Sequence, residues 1–361
     1  MPKTIDAAEL ARRLGSPGEP FLLDVREPDE VEDWAIPGAV NLPIGALEHR
    51  VGEVPADRPV VTVCASGNRA ATAADLLEQA GHEVAVLEGG MQAWANVYDT
   101  AQVELGGARV VQVRRLGKGC LSYLIGSGDQ AAVVDPSTDV TRYQQLAAEA
   151  GWRITHVFDT HLHADHLSGA RDLAEATGAV LHLNAADAYR FEFAPLADGE
   201  TFRLSGGLEL AVAALHTPGH TEGSTMFFVG KAAVLSGDTV FVDGVGRPDL
   251  AERAEEFARN LHRSLARRVL TLDDDTVVLP GHFGANVRVR PGEPVGAHLG
   301  QLRRDLQELS LGEDDFVAWA AARVSPRPPN YEEIIRANMG RPRLSFDELA
   351  RLEVGPNRCS A

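Results

Sequence analysis

Two stretches of this chain hold side chains whose types and spacing could do chemistry. In VTVCASGNRAATAADLL, residues 60–76, a β-branched run ends at Cys64, a loop of Ala65, Ser66, Gly67 and Asn68 follows, and Arg69 opens an Ala/Leu-rich helix. A thiol between a strand end and a helix N-terminus sits where backbone N–H groups converge on an anion, which favours the thiolate. The small residues let the loop curl round the sulfur, and Arg69 can offer its guanidinium to an oxyanion. A buried strand cysteine ahead of an ordinary helix would leave the Gly-bearing loop and the arginine without a reason.

The second stretch is THLHADHLSG, which sets His161, His163, Asp165 and His166 within six positions, directly after the apolar run Ile154 to Phe158. Further on come TPGHT with His220, LSGDTV with Asp238 and VLPGHFG with His282. Each follows an apolar, strand-like run at a Gly-marked turn, which places all of them on one edge of a sheet assembly. The set reads as a metal site. His49, His82, His182, His216, His262 and His298 stand outside this pattern and read as ordinary surface or capping residues, while His156, inside an apolar run, reads as packing. Cys120 in GKGCLSYLIG reads as a packing residue of an opening hairpin, and Cys359 as part of a terminal tail.

Two kinds of element must position these groups. Up to Tyr98, short β-branched runs (21–25, 60–64 and 84–87) alternate with amphipathic helices, of which 69–80 is the clearest; this implies a small parallel α/β sheet with flanking helices over residues 1–98. The segment DTAQVELGG, 99–107, reads as a linker. From 108 to 361 consecutive short strands (110–113, 122–125, 131–134) precede an alternation of helices and strands from Thr141, which implies sheets sandwiched between helices. Residues 287–294 read as loop, with a charged helical tail from about His298.

Composition bounds the rest. A chain of 361 residues exceeds what one core usually holds, so two domains are expected. With 34 basic against 52 acidic residues the net charge is -18, and the basic residues are scattered, so nucleic acid and anionic membrane are poor partners. Three dispersed cysteines suggest neither a disulfide framework nor a thiolate zinc site. With no apolar stretch of signal or membrane-spanning length, the expectation is a soluble, cytoplasmic protein whose oligomeric state stays open.

The motifs carry two family resemblances. Residues 4–98 resemble a single-domain rhodanese through FLLDVREPDE, IPGAVNLP, CASGNRA and LEGGMQAW, with EDWAIPGA departing from the Gly-His pair that relatives carry before Ile-Pro. The resemblance implies that Cys64 carries a persulfide, that Arg69 is catalytic and that Ala65, Ser66, Gly67 and Asn68 bind the sulfur. Residues 108–290 resemble the metallo-β-lactamase superfamily and its αββα sandwich. Within it, FVDGVGRPDL and SPRPPNYEEIIRANMG are similar to the persulfide dioxygenases, the ethylmalonic encephalopathy protein-like group.

That second resemblance implies one Fe(II) per chain, held by His161, His220 and Asp238. His163, Asp165, His166 and His282 would orient these ligands or line the pocket, and Arg247 and Asp249 would bind substrate. Phe283 and Gly284 replace the Asp-Tyr of glutathione-specific relatives, which leaves the thiol carrier open: glutathione persulfide or a similar compound.

Together the resemblances imply a bifunctional enzyme that oxidises a thiol persulfide with O2 to sulfite and thiol, coupled to thiosulfate or persulfide sulfur transfer through Cys64. One alternative is a glyoxalase II-like thioester hydrolase with two zinc ions per chain and a rhodanese module. Another treats the rhodanese part as a binding or sensing module, against which the retention of both Cys64 and Arg69 speaks.

Overall fold

The computed structural model describes the chain except residues 1, 106–107, 206–209, 249–252, 285–286, 324–326, 328–329, 341–343 and 356–361. Its residues fall into two compact units, the first made chiefly of the chain up to Asp99 with Arg115–Lys118, the second chiefly of Thr100–Arg114 and Gly119–Glu353.

In the first unit, strands β1 (Lys3–Ile5), β2 (Phe21–Asp24), β3 (Val40–Asn41), β4 (Val60–Val63) and β5 (Val84–Leu87) form one sheet in the order β1-β5-β4-β2-β3, every pair parallel. A parallel sheet buries both faces, so its strands read as continuous apolar runs. Leu23, Val60, Ala70 and Leu77 belong to one core cluster, whereas Leu22, Val61, Val63 and Trp94 belong to another. The helix Asn68–Gln79 follows β4 because Ala70, Ala73, Ala74 and Leu77 recur at helical spacing and are all buried.

The second unit holds two sheets. Strands β6 (Tyr98–Leu105), β7 (Ala108–Arg115), β8 (Cys120–Ser127), β9 (Gln130–Val134), β10 (Arg153–Phe158), β11 (Val180–Leu183) and β12 (Ala194–Pro195) lie side by side in sequence order. The other sheet runs, again in sequence order, through β13 (Thr201–Leu204), β14 (Leu210–His216), β15 (Thr225–Val229), β16 (Ala233–Gly237), β17 (Val277–Pro280) and β18 (Ala297–His298). Between the sheets Phe158 meets Phe227 and Phe202, each with ring centroids 5.0 Å away. Helices 140–149 and 170–177 lie on the first sheet, and helices 254–264 and 299–305 bury Leu261, Leu299 and Leu302 with Val234 and Val278 of the second. This is the expected four-layer sandwich.

One expectation needs correction. Most of the segment 99–107, expected to be a linker, belongs to β6, the edge strand of the seven-stranded sheet. A period of two is present, carried by Ala101, Val103 and Leu105 between Gln102 and Glu104, but the small alanine and the polar flanks of an edge strand made it faint. Gly106 and Gly107 lie outside the described residues.

The sandwich gathers its chemistry at strand ends. Asp135 follows β9, His161 follows β10, His220 follows β14, Asp238 follows β16 and His282 follows β17.

Candidate functional site

In the first unit Cys64 is 1% exposed, and its sulfur accepts the N–H of Gly67 at 3.1 Å and of Ala70 at 3.4 Å. Gly67 reaches this position with φ +107, a left-handed conformation that a side chain would strain, and caps the helix that Asn68 and Arg69 begin. LEGGMQAW supports the loop from beside it: Met91 N–H donates to the Cys64 carbonyl at 2.9 Å and Gln92 N–H to that of Ala65 at 3.2 Å. A Cβ on Gly90 would lie 2.2 Å from the Cys64 carbonyl oxygen, so only glycine permits this approach. Of the other loop residues, Ala65 is half-buried, while Ser66 and Asn68 are exposed. The Arg69 guanidinium is held in a two-point pair by Glu30, at 2.6 and 2.8 Å. That pairing pulls the Glu30 carboxyl down to about 2. Glu30 lies in REPDE and was not singled out by sequence reading, although its place in the matched motif was the available signal.

In the second unit three groups of ligand-type atoms are buried close together: His161, His220 and Asp238; Cys120, Asp165, His166 and His282; and Asp135, Asp159 and His163. Every residue of the expected metal constellation is therefore in one of them.

The first group is aimed. His220 Nδ1 lies 2.9 Å from the Arg247 carbonyl, which can only accept, so its proton is on Nδ1 and the Nε2 lone pair is free. The Thr160 hydroxyl donates to Asp135 Oδ2 at 2.9 Å, leaving Thr160 Oγ1 to accept from His161 Nδ1 at 2.8 Å, and again Nε2 is the bare nitrogen. His282 Nδ1 donates to Asp238 Oδ1 at 2.7 Å and thereby turns Oδ2 toward the two imidazoles. His161 Nε2, His220 Nε2 and Asp238 Oδ2 are buried with no hydrogen-bond partner, and Oδ2 lies 3.7 and 3.5 Å from the two nitrogens. Three desolvated acceptors facing one point repel one another, and a cation there removes the penalty. The residues thus fit a metal ion. Burial keeps both imidazoles below their ordinary pKa, and burial of Asp238 is outweighed by His282 and His161, which hold it well below the usual carboxylate range.

The second group is paired in part, since His282 Nε2, though close to Asp165, is also buried without a hydrogen-bond partner. Asp165 has His166 Nδ1 at 3.0 Å on one oxygen and His282 Nε2 at 3.0 Å on the other. Cys120 Sγ stands 3.9 Å from Asp165; burial alone would raise the thiol, but His166 and His282 bring it down to about 6. Cys120 is buried in its strand, as a packing residue would be, and also lies among ligand-type side chains, which an isolated cysteine at a strand start does not signal. In the third group Asp135 Oδ1 accepts Thr160 N–H at 2.7 Å and lies 3.1 Å from His163 Nε2. Asp135 adopts φ +53, strain tolerated because its carboxylate ties together the loop that carries His161. Sequence reading missed Asp135, which sits in unremarkable surroundings, and Thr160, although it opens the THLHADHLSG stretch itself.

Arg247 is 1% exposed and reaches the centre through its carbonyl on His220; Asp249 lies outside the described residues. A Cβ on Gly281 would fall 2.7 Å from Asp238 Oδ1, so the Gly-His pair lets His282 approach that carboxylate.

Comparison with known proteins matches each of the two domains. Residues 6–97 match the rhodanese-like domain and residues 115–282 the metallo-beta-lactamase superfamily. A hydroxyacylglutathione hydrolase of Acidiphilium cryptum is 34% identical over 242 residues, covering 66% of this chain and 91% of the relative. A second, of Methylococcus capsulatus, is 39% identical over 228 residues, covering 60% and 84%. The crystal structure of ETHE1 from Myxococcus xanthus superposes with a TM-score of 0.55 at 28% identity, covering 67% of this chain and 98% of that one. With both motifs, the sandwich and these relatives in agreement, the chain belongs to the metallo-β-lactamase superfamily and carries a rhodanese domain ahead of that fold.

Proposed function

We propose that this enzyme oxidises a low-molecular-weight thiol persulfide with O2 at the His161, His220 and Asp238 centre, and moves sulfane sulfur through Cys64 in the rhodanese domain. The observation that carries the reading is the convergence of two bare imidazole nitrogens and one carboxylate oxygen on a single buried point. Two His and one carboxylate on one face are the ligand set of non-haem Fe(II) oxygenases, and a single Fe(II) there would supply open positions for a persulfide sulfur and O2 side by side.

The chain's own residues do the rest. Thr160 and the Arg247 carbonyl fix the tautomers of His161 and His220, and His282 fixes which oxygen Asp238 presents. Arg247 and Asp249 bind the carrier end of the persulfide. Overall, persulfide, O2 and water give thiol and sulfurous acid, the terminal sulfur losing electrons to O2. In the other domain the Cys64 thiolate attacks the outer sulfur of thiosulfate; a Cys64 S–S bond forms, the thiosulfate S–S bond breaks, and sulfite leaves with the electron pair. Gly67 and Ala70 N–H groups stabilise the sulfur anion before and after transfer. A thiol acceptor then regenerates Cys64 and leaves as a persulfide, which is the substrate of the second centre. Sulfite and persulfide are thus intermediates common to both domains.

Among the described residues no helix is long and apolar enough to cross a membrane, and Cys64 and Cys120 are free thiols. The reading places the reaction in the cytoplasm, with small sulfur compounds as partners.

A second reading, a thioester hydrolase with two zinc ions, is favoured by the group Cys120, Asp165, His166 and His282 next to the first and by the names of the relatives. Metal analysis of anaerobically purified protein, with O2 uptake measured on several persulfides, separates the two. One iron per chain and O2 consumed in proportion to persulfide support the dioxygenase; two zinc ions, thioester cleavage and no O2 uptake overturn it.

A further inference from the structure

Asn338, in the RANMG run near the end of the helix Tyr331–Asn338, contacts the backbone of the loop that carries four of the constellation residues. Its Nδ2 donates to the carbonyls of His163 and of His166, both at 2.9 Å, and its Oδ1 accepts the N–H of Ser168 at 3.0 Å. The intervening N–H, that of Leu167, is taken at 2.6 Å by Glu353, a carboxylate 6% exposed. Apolar contact joins the same partners: Leu167 is buried with Ile334 and Leu352, and Ala337, Leu344 and Leu349 pack against them. The Arg190 N–H also donates to the Met339 carbonyl at 2.9 Å, tying the end of that helix to the segment after β11.

A loop that turns four side chains inward cannot also satisfy its own main chain in regular structure, and a buried backbone group left unpaired costs about as much as a lost hydrogen bond. Asn is the side chain that suits this place, since it offers two donors and an acceptor in one plane. Asp would keep the shape and reverse two of the three contacts.

We infer that Asn338 and Glu353 are positioning residues for the metal centre, holding residues 163–168 so that His161 and its neighbours face the ion, and that metal occupancy and docking of the helix Tyr331–Asn338 stabilise each other. The inference rests on the metal-centre part of the proposed function and on no particular reaction. Coupling of this kind is reciprocal: whatever the helix adds to metal affinity, the metal adds to helix docking.

The test uses the full-length protein, loaded with Fe(II) under anaerobic conditions or with Zn(II), and reads metal affinity by competition with a chelator. Asn338→Asp should bind either metal about tenfold to a hundredfold more weakly, the usual effect of losing a group that orients a ligand. Glu353→Ala should also weaken binding, whereas Glu353→Gln, which retains an acceptor oxygen, should stay near wild type. In the wild type, stripping the metal should speed amide exchange in 331–338, and in Asn338→Asp that difference should shrink. Wild-type affinity in Asn338→Asp, or equal loss in Glu353→Gln and Glu353→Ala, overturns the inference, as does exchange in 331–338 that ignores the metal. Tight metal binding without O2 uptake would instead overturn the dioxygenase reading and leave this one standing.

Discussion

Glu30 and Arg69 meet in a two-point ion pair across 39 positions of chain, the carboxylate occupying both terminal nitrogens of the guanidinium beside the Cys64 loop. An oxyanion arriving at that loop therefore competes with Glu30 for Arg69. Glu30→Gln removes the competing charge and should lower KM for thiosulfate by up to about fivefold, the range of a partly exposed pair. The Glu30 carboxyl is depressed to about 2, so the pair is complete above the ordinary carboxylate range and is lost only as pH falls toward that value. The KM ratio of variant to wild type should thus stay flat between about pH 5 and 8. A ratio that drifts toward one across this window would show that some other group governs Arg69.

Cys64→Ser should abolish sulfur transfer from thiosulfate while sparing O2 uptake with a chemically prepared persulfide. The reason is local: Gly67 and Ala70 N–H groups point at this sulfur, and no hydroxyl can carry sulfane sulfur in its place. Mass spectrometry after thiosulfate treatment should find one added sulfur on Cys64 of the wild type. Cys120, although its thiol is brought down to about 6, is buried among Asp165, His166 and His282, and should stay unmodified.

At the other centre, His161→Ala, His220→Ala and Asp238→Ala should each lose the metal and O2 uptake and keep sulfur transfer, because the two sets of residues belong to separate compact units. Asp135→Asn acts one step further out. It weakens the acceptor that orders Thr160 and so His161, and should cost about tenfold to a hundredfold in metal affinity. Unchanged affinity would mean that His161 holds its tautomer without Thr160.

How much of this could be read beforehand depended on whether neighbours in space were neighbours in sequence. The Cys64 loop is a continuous motif, and its strand, glycine and helix are local signals. The histidines and Asp238 announced themselves because each ends an apolar run, and strand ends of one sandwich edge must meet. What stayed hidden were contacts made by ordinary residues from distant elements. Glu30 on Arg69, Asp135 under Thr160, and Cys120 beside His166 have no spacing that marks them. Asn338 was visible as part of a motif, but not as the side chain that holds the metal loop. Strand β6 was misread for a related reason, since an edge strand needs only Ala101, Val103 and Leu105 to face inward.

Arg247 offers a test in which main chain and side chain act separately. Its carbonyl accepts from His220 Nδ1 at 2.9 Å, and that contact survives any side-chain replacement. The guanidinium, on a residue 1% exposed and close in sequence to Asp249, is the group assigned to the anionic carrier of the persulfide. Arg247→Ala should therefore keep its metal and raise KM for the persulfide, with a smaller effect on kcat, because it removes binding remote from the reacting sulfur. Losing one charge-assisted hydrogen bond of about 1.5–3 kcal/mol weakens binding about tenfold to a hundredfold. Metal content measured on the same preparation decides the interpretation. If the variant arrives depleted of metal with KM unchanged, the buried guanidinium serves to hold its own backbone against His220, and the substrate's carboxylates are bound elsewhere.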